Sequence, residues 1–292
     1  MKKRIKILLI LTFMIICTGC ESTLLGKDSM NDISIYTSLY PIEYVTKQLY
    51  GSNAKISNMY PAGTNPYKYK FTKKQIEDFG NADLVIYNGL TSERDNVVDM
   101  LNKNKNLKII DATARIEYTN DIDEIWINPS NLLTISQNIK VGLKEYINSK
   151  YLKDQVDENY DTLKLELSRL DADIKDDIEN ANYKEIVATT NAIKMFEKYG
   201  LKVHSLDSKT INDKEYNDII KLIQNETIKY IYTSSISENN KYLDEIKEKY
   251  PNIQIIELST LNNLSDNDKK NDKDYITIMN ENRDKLKKEL YK

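Results

Sequence analysis

From Val156 to Ile178 the apolar residues Val156, Tyr160, Leu163, Leu167, Leu170, Ile174 and Ile178 recur at spacings of four and three. Asp, Glu, Lys and Arg largely fill the positions between them, and neither Pro nor Gly interrupts the run. This is the pattern of one amphipathic helix, assigned to residues 151–181 and roughly 40 Å long at about 1.5 Å per residue. An element that stiff fixes the separation of whatever is attached to its ends. Strands linking two lobes would allow wide opening and closing, whereas a single helix limits hinge motion. A coiled-coil dimer segment is the other reading of the same stripe, but it holds only about three heptads and lies between two units of a different character.

Those units are read from alternating short apolar runs and amphipathic stretches. Before the helix come 33–37, 42–49, 54–59, 72–79, 84–87, 93–101 and 107–111, alternately strand and helix. After it, 185–189, 202–204, 230–233 and 253–258 read as strands. Such βα alternation implies a parallel sheet with helices on both faces. The expected architecture is therefore α/β, with an N-terminal lobe at 33–150, the linker helix, and a C-terminal lobe at 182–292. The Asn/Asp/Lys run at 262–273 reads as a solvated loop. Tyr275, Ile278, Met279 and Leu286 have helical spacing, so the chain should close with a helix docked on the second lobe.

The first residues address the chain rather than build it. Lys2, Lys3, Arg4 and Lys6 precede an apolar run from Ile7 to Ile16, which is a secretion signal over 1–19 and too short to span a bilayer as a mature helix. Cys17-Thr18-Gly19-Cys20 follows, with small residues before Cys20, as a lipoprotein signal peptidase requires; Cys17 stands where Leu is usual. Cys20 is the expected lipidation site, and residues 20–32 the tether to an extracytoplasmic membrane surface. Cleavage leaves one of the 2 cysteines, so no intrachain disulfide can form. It also removes cations, making the mature chain more acidic than the formal −3 of the whole, which argues against nucleic acid as a partner.

Enzyme signatures are missing. The only histidine, His204, lies on a strand and has no nucleophile elbow to serve, and the 8 glycines never take the spacing of a phosphate loop. The 21 tyrosines, with abundant Lys, Asn and Ile, fit an AT-rich coding sequence and receive no collective function.

Several segments in order carry a resemblance: Tyr36-Thr37-Ser38-Leu39-Tyr40-Pro41, Pro61-Ala62-Gly63-Thr64-Asn65-Pro66-Tyr67-Lys68-Tyr69, Ala82-Asp83-Leu84-Val85-Ile86-Tyr87-Asn88-Gly89-Leu90, Ile125-Trp126-Ile127-Asn128-Pro129, Ala188-Thr189-Thr190-Asn191-Ala192, Tyr199-Gly200-Leu201 and Asp274-Tyr275-Ile276. Together they resemble the solute-binding lipoproteins of zinc and manganese ABC importers, the cluster A-I metal-binding family. That resemblance implies two α/β lobes bridged by one long helix, with a metal held in the cleft by imidazoles and a carboxylate from both lobes. In this chain Tyr67 stands where the first His belongs, Glu124 where the second does and Asn191 where the third does; Ser259 takes the place of the carboxylate. Zinc favours nitrogen and sulfur donors, and a complete structural site supplies about 10–16 kcal/mol, so losing the imidazoles removes most of the affinity. Only Glu124 is an anion at the aligned positions, and Asp121 and Asp123 nearby could equally face water. Zinc binding is expected to be weak or absent, with a weakly bound divalent metal left open as the one candidate cofactor.

The resemblance thus implies a membrane-anchored solute-binding lipoprotein, a monomer serving an ABC permease and not an enzyme. The alternative is the same scaffold acting through protein contacts as an adhesin or an envelope accessory.

Overall fold

The computed structural model describes residues 33–234 and 239–292. The expected signal peptide at 1–19 and the whole of the expected 20–32 tether, Cys20 included, lie outside the described residues. Among those described, no helix is long and apolar enough to cross a membrane.

In the N-terminal lobe, β1 (Ile33–Thr37), β2 (Ala54–Asn58), β3 (Leu84–Tyr87) and β4 (Lys108–Asp111) pair in parallel in the order β2-β1-β3-β4. The helices α1 (Tyr40–Tyr50), α2 (Lys73–Gly80) and α3 (Glu93–Lys103) alternate with them, followed by the short α4 (Glu124–Ile127) and by α5 (Pro129–Tyr146). The linker is α6 (Lys150–Glu179). In the C-terminal lobe, β5 (Glu185–Ala188), β6 (Lys202–Ser205), β7 (Tyr230–Thr233) and β8 (Gln254–Glu257) repeat the arrangement in the order β6-β5-β7-β8, again all parallel. A 3-10 helix, Asn191–Tyr199, follows β5, and the later helices are α7 (Asp213–Gln224), α8 (Lys241–Lys249), α9 (Asp266–Lys270) and α10 (Tyr275–Leu290).

Side-chain alternation on the central strands explains the layers. In β3, Leu84 and Ile86 face the main core while Val85 and Tyr87 face an outer cluster with Ile76, Phe79, Val97 and Met100. All four strand residues are buried, as expected of a parallel strand covered on both faces. Local sequence chemistry sets the helix starts: Thr72 and Gln75 form a reciprocal capping box on α2, and Asn212 and Glu215 do the same on α7.

Every member of the α6 stripe is buried, Leu152 included, and Ser149 caps its start. The main hydrophobic core is continuous from Ile33 in the first lobe through this stripe to Leu290 in the last helix. The lobes therefore share one interior. Other contacts bind them together: Tyr44 stacks on Tyr275 at 5.6 Å, Arg283 pairs with Asp173 and Asp177 of α6, and Lys198 reaches Asn128, Ser130 and Asp171.

The 262–273 segment corrects a sequence expectation. It is not simply a solvated loop. Residues 262–264 lie across the first lobe as a strap, and 266–270 form α9. Asn263 Nδ2 donates to the carbonyls of Pro61 and Thr64 at 2.8 and 2.9 Å, and the Gly63 amide donates to the Leu264 carbonyl at 2.8 Å. Gly63 has φ 70, in the left-handed region that favours glycine, which is how the 61–64 turn presents its amide to the strap. A polar, Asn-rich composition is what such backbone-directed pairing needs, and composition alone does not separate it from a solvated loop.

Candidate functional site

The segments that follow the carboxyl ends of the strands meet between the lobes, where parallel α/β sheets place their ligand sites. At their meeting point is Asp123, just ahead of α4. Its Oδ1 accepts a hydrogen bond from the Tyr67 hydroxyl at 2.6 Å, and its Oδ2 accepts from Asn262 Nδ2 of the other lobe at 3.0 Å. The Thr260 side chain donates to it as well. Trp126 Nε1 in turn donates to the Tyr67 hydroxyl at 2.9 Å, and the Trp126 side chain is fully buried. Asp123 and Trp126 are three residues apart around a helical turn, so they present to the same side and both reach Tyr67.

Glu124, one residue on, is turned about 100° away by the same geometry. Its carboxylate accepts from the Thr119 amide at 2.6 Å, and from the Asn120 amide and Asn120 Nδ2 at 3.1 Å each, so it closes its own loop. Asn191 starts the 3-10 helix and is buried; its Nδ2 donates to Asp207 Oδ2 at 3.2 Å and to Thr210 Oγ1 at 3.0 Å, leaving Oδ1 unpartnered among the described residues. Ser259 accepts from the Leu261 amide through Oγ at 3.2 Å and is held through its backbone by Asn282. Tyr67, Glu124, Asn191 and Ser259 make no hydrogen bond to one another, and each bonds to other partners, Asn191 through Nδ2 alone.

Electrostatics narrows what this cleft can hold. Although 40% of Tyr67 is solvent-accessible, its hydroxyl is desolvated and faces the Asp123 carboxylate, which together hold the phenol far above its ordinary value. It is therefore a neutral donor and not a phenolate ligand. Desolvation pushes Asp123 up to about 6, against hydrogen bonds from Tyr67, Asn262 and Thr260 that favour its charged form. Glu93, buried at the start of α3, accepts from the Tyr60 hydroxyl and the Asn88 amide at 3.0 Å each; desolvation pushes it up to about 7. No group of three or more His, Cys, Asp or Glu residues able to hold a metal occurs among the described residues. His204 lies on β6 with Nε2 at 2.9 Å from Glu185 Oε2. These donors do not fit zinc: the phenol is held neutral, the Asp123 carboxylate already accepts from three protein donors, and no imidazole is at hand.

Sequence reading missed Asn262, Thr260 and Glu93, and left Asp123 as a residue that could face water. The available signal was the Asp123–Trp126 spacing, since a buried Trp with a polar residue three positions earlier marks one inward face.

The chain is similar to known proteins along most of its length. The family described as ZnuA, zinc-uptake complex component A, periplasmic, matches residues 35–289. The zinc-binding lipoprotein AdcA of Streptococcus pneumoniae is 23% identical over 312 aligned positions, covering 98% of this chain and 60% of AdcA. The chain thus spans about 60% of the length of that relative. The manganese ABC transporter substrate-binding lipoprotein PsaA of Streptococcus mitis is 24% identical over 221 positions, covering 69% of this chain and 70% of PsaA. Among solved structures, the Zn(II)-bound ZnuA-like domain of S. pneumoniae AdcA superposes with a TM-score of 0.72 at 23% identity, covering 90% of this chain and 100% of that domain.

Proposed function

This chain belongs to the ZnuA family, and on that premise we propose that it is a lipid-anchored, extracytoplasmic solute-binding protein of an ABC importer whose cleft no longer takes zinc. The observation that carries the second half is the run Trp126–Tyr67–Asp123–Asn262, in which hydrogen bonds between protein groups join the lobes and engage Tyr67, the residue that the resemblance aligns with the first imidazole ligand. Family membership and the shared two-lobe fold support the first half. The sequence of Met1 to Cys20 supports the anchor at Cys20, and a tethered two-lobe binding protein implies a membrane permease as its partner. The reading is of a carrier and not an enzyme.

Two experiments test it. Cys20→Ala should abolish fatty-acid labelling and release the protein from the membrane fraction; unchanged labelling would refute the anchor. Restoring donors with Tyr67→His, Glu124→His, Asn191→His and Ser259→Asp should create zinc affinity that falls as pH drops through the imidazole pKa of about 6.5. A folded fourfold variant with no such gain would show that these positions are not the former ligand places.

A further inference from the structure

A cavity of about 350 Å³ opens in the seam between the lobes, with the strap residue Asn263 on its wall. This volume falls in the range of small-molecule sites, about 300–1,000 Å³, and far exceeds the roughly 30 Å³ share of a single water. The first lobe contributes Tyr40, Glu43, Tyr44 and Lys47, which helical spacing places on one face of α1. The second lobe contributes Lys269, Asp272, Lys273 and Asp274, around the junction of α9 and α10.

Two features indicate a built site. Tyr40 and Tyr44 are only 6% and 5% exposed, and no hydrogen bond of either hydroxyl is found among the described residues; neither is one of the fully enclosed orphan atoms, as the Tyr275 hydroxyl is, so both open onto the cavity with bonding capacity to spare. Burial, with Asp274 nearby, holds both phenols well above their ordinary value, so both remain neutral and can donate or accept. The second feature is charge balance. Glu43, Asp272 and Asp274 line the cavity together with Lys47, Lys269 and Lys273, three anions and three cations around one small space. Of the lysines, Lys47 is paired with Glu43, and Lys273 with Asp268 and Glu281. Asp274 spends one oxygen on capping α10 through the Thr277 amide, and Lys269 makes no ion pair among the described residues. A ligand of a single charge would meet repulsion from half of this lining; one carrying both charges finds a partner of opposite sign for each.

We propose that this cavity binds a small zwitterionic solute, an α-amino acid or a compound with ammonium and carboxylate groups similarly spaced. The Asp274 carboxylate receives the ammonium, with Glu43, whose oxygens already accept from Lys47 and Asn58, adding negative charge beside it; Lys269 faces the carboxylate, and the Tyr40 and Tyr44 hydroxyls complete the contacts. The inference rests on the reading of the chain as a solute-binding protein that does not carry zinc, and it names the solute class.

The test is calorimetric titration of the full-length protein in detergent with the standard L-amino acids singly, with ethylammonium and acetate as the separated halves. At least one amino acid should bind with a submillimolar Kd, with either half at least tenfold weaker. Tyr40→Phe and Tyr44→Phe, which keep ring and volume, should each weaken binding about tenfold, and Lys269→Gln should do so at an exposed position without unfolding the protein. Failure of every amino acid to bind, or binding indifferent to all three substitutions, would overturn the proposal. A zinc titration of the same sample separates the cases: tight zinc binding defeats the function proposed above, whereas absence of both zinc and amino-acid binding defeats this inference alone.

Discussion

Asp123 and Tyr67 show how much a single rotation around a helix decides. Tyr67→Phe should cost about 1–3 kcal/mol of stability, because Trp126 Nε1 and one Asp123 oxygen lose their partner in a desolvated place, and urea unfolding measures it. The buried acids also predict a pH dependence. Glu93 and Asp123 have folded-state values above their unfolded ones, so the native state binds protons more readily, and their contribution is fully present only below about pH 4. It is lost as pH rises through about 6 for Asp123 and about 7 for Glu93. Glu93→Gln should remove its share of that downward slope between about pH 4.5 and 7, about 3 kcal/mol. Unfolding curves across that range check it, and an unchanged slope would show that Glu93 does not titrate there. Tyr67 was legible as a candidate through the resemblance alone, because the local pattern Gly63-Thr64-Asn65-Pro66-Tyr67-Lys68-Tyr69 aligns it with the first imidazole ligand. The sequence left Asn262 illegible, because a hydrogen bond across 139 residues has no local pattern.

The α6 helix was the most legible element, since one buried stripe at a fixed period leaves little choice of conformation. The observed helix, Lys150–Glu179, starts one residue before the expected boundary and ends two before it. Leu167→Pro should break its hydrogen bonds and remove a buried side chain, at a cost of about 3 kcal/mol or more, seen as a large fall in melting temperature. The strands were legible for the same reason: runs such as Leu84-Val85-Ile86-Tyr87 are apolar throughout because both faces are covered. Close packing between elements was not. Gly142 in α5 lies against Ile110 of β4 so tightly that an added Cβ would come within 2.6 Å of that side chain. Gly142→Ala should therefore destabilise by about 1–3 kcal/mol despite the better helix propensity of alanine, and a neutral or stabilising result in the same unfolding assay would contradict this contact.

For the whole molecule, two lobes share one core along α6 and are tied again by the strap at 262–264, so protein contacts bridge them in two places. The strap escaped the sequence because its work is done by side-chain amides reaching distant backbone, chemistry that a polar loop and a polar latch have in common. Asn262→Ala with Asn263→Ala should raise hydrogen exchange at residues 61–64 while leaving α6 protected. The central claim is that hydrogen bonds between protein groups, and not a bound zinc ion, join the lobes at Tyr67 and Asp123. Calorimetric titration of the full-length protein with zinc at neutral pH tests it most directly. The account predicts no submicromolar binding. Stoichiometric zinc binding with a submicromolar Kd, abolished by Asp123→Asn or Tyr67→Phe, would contradict it.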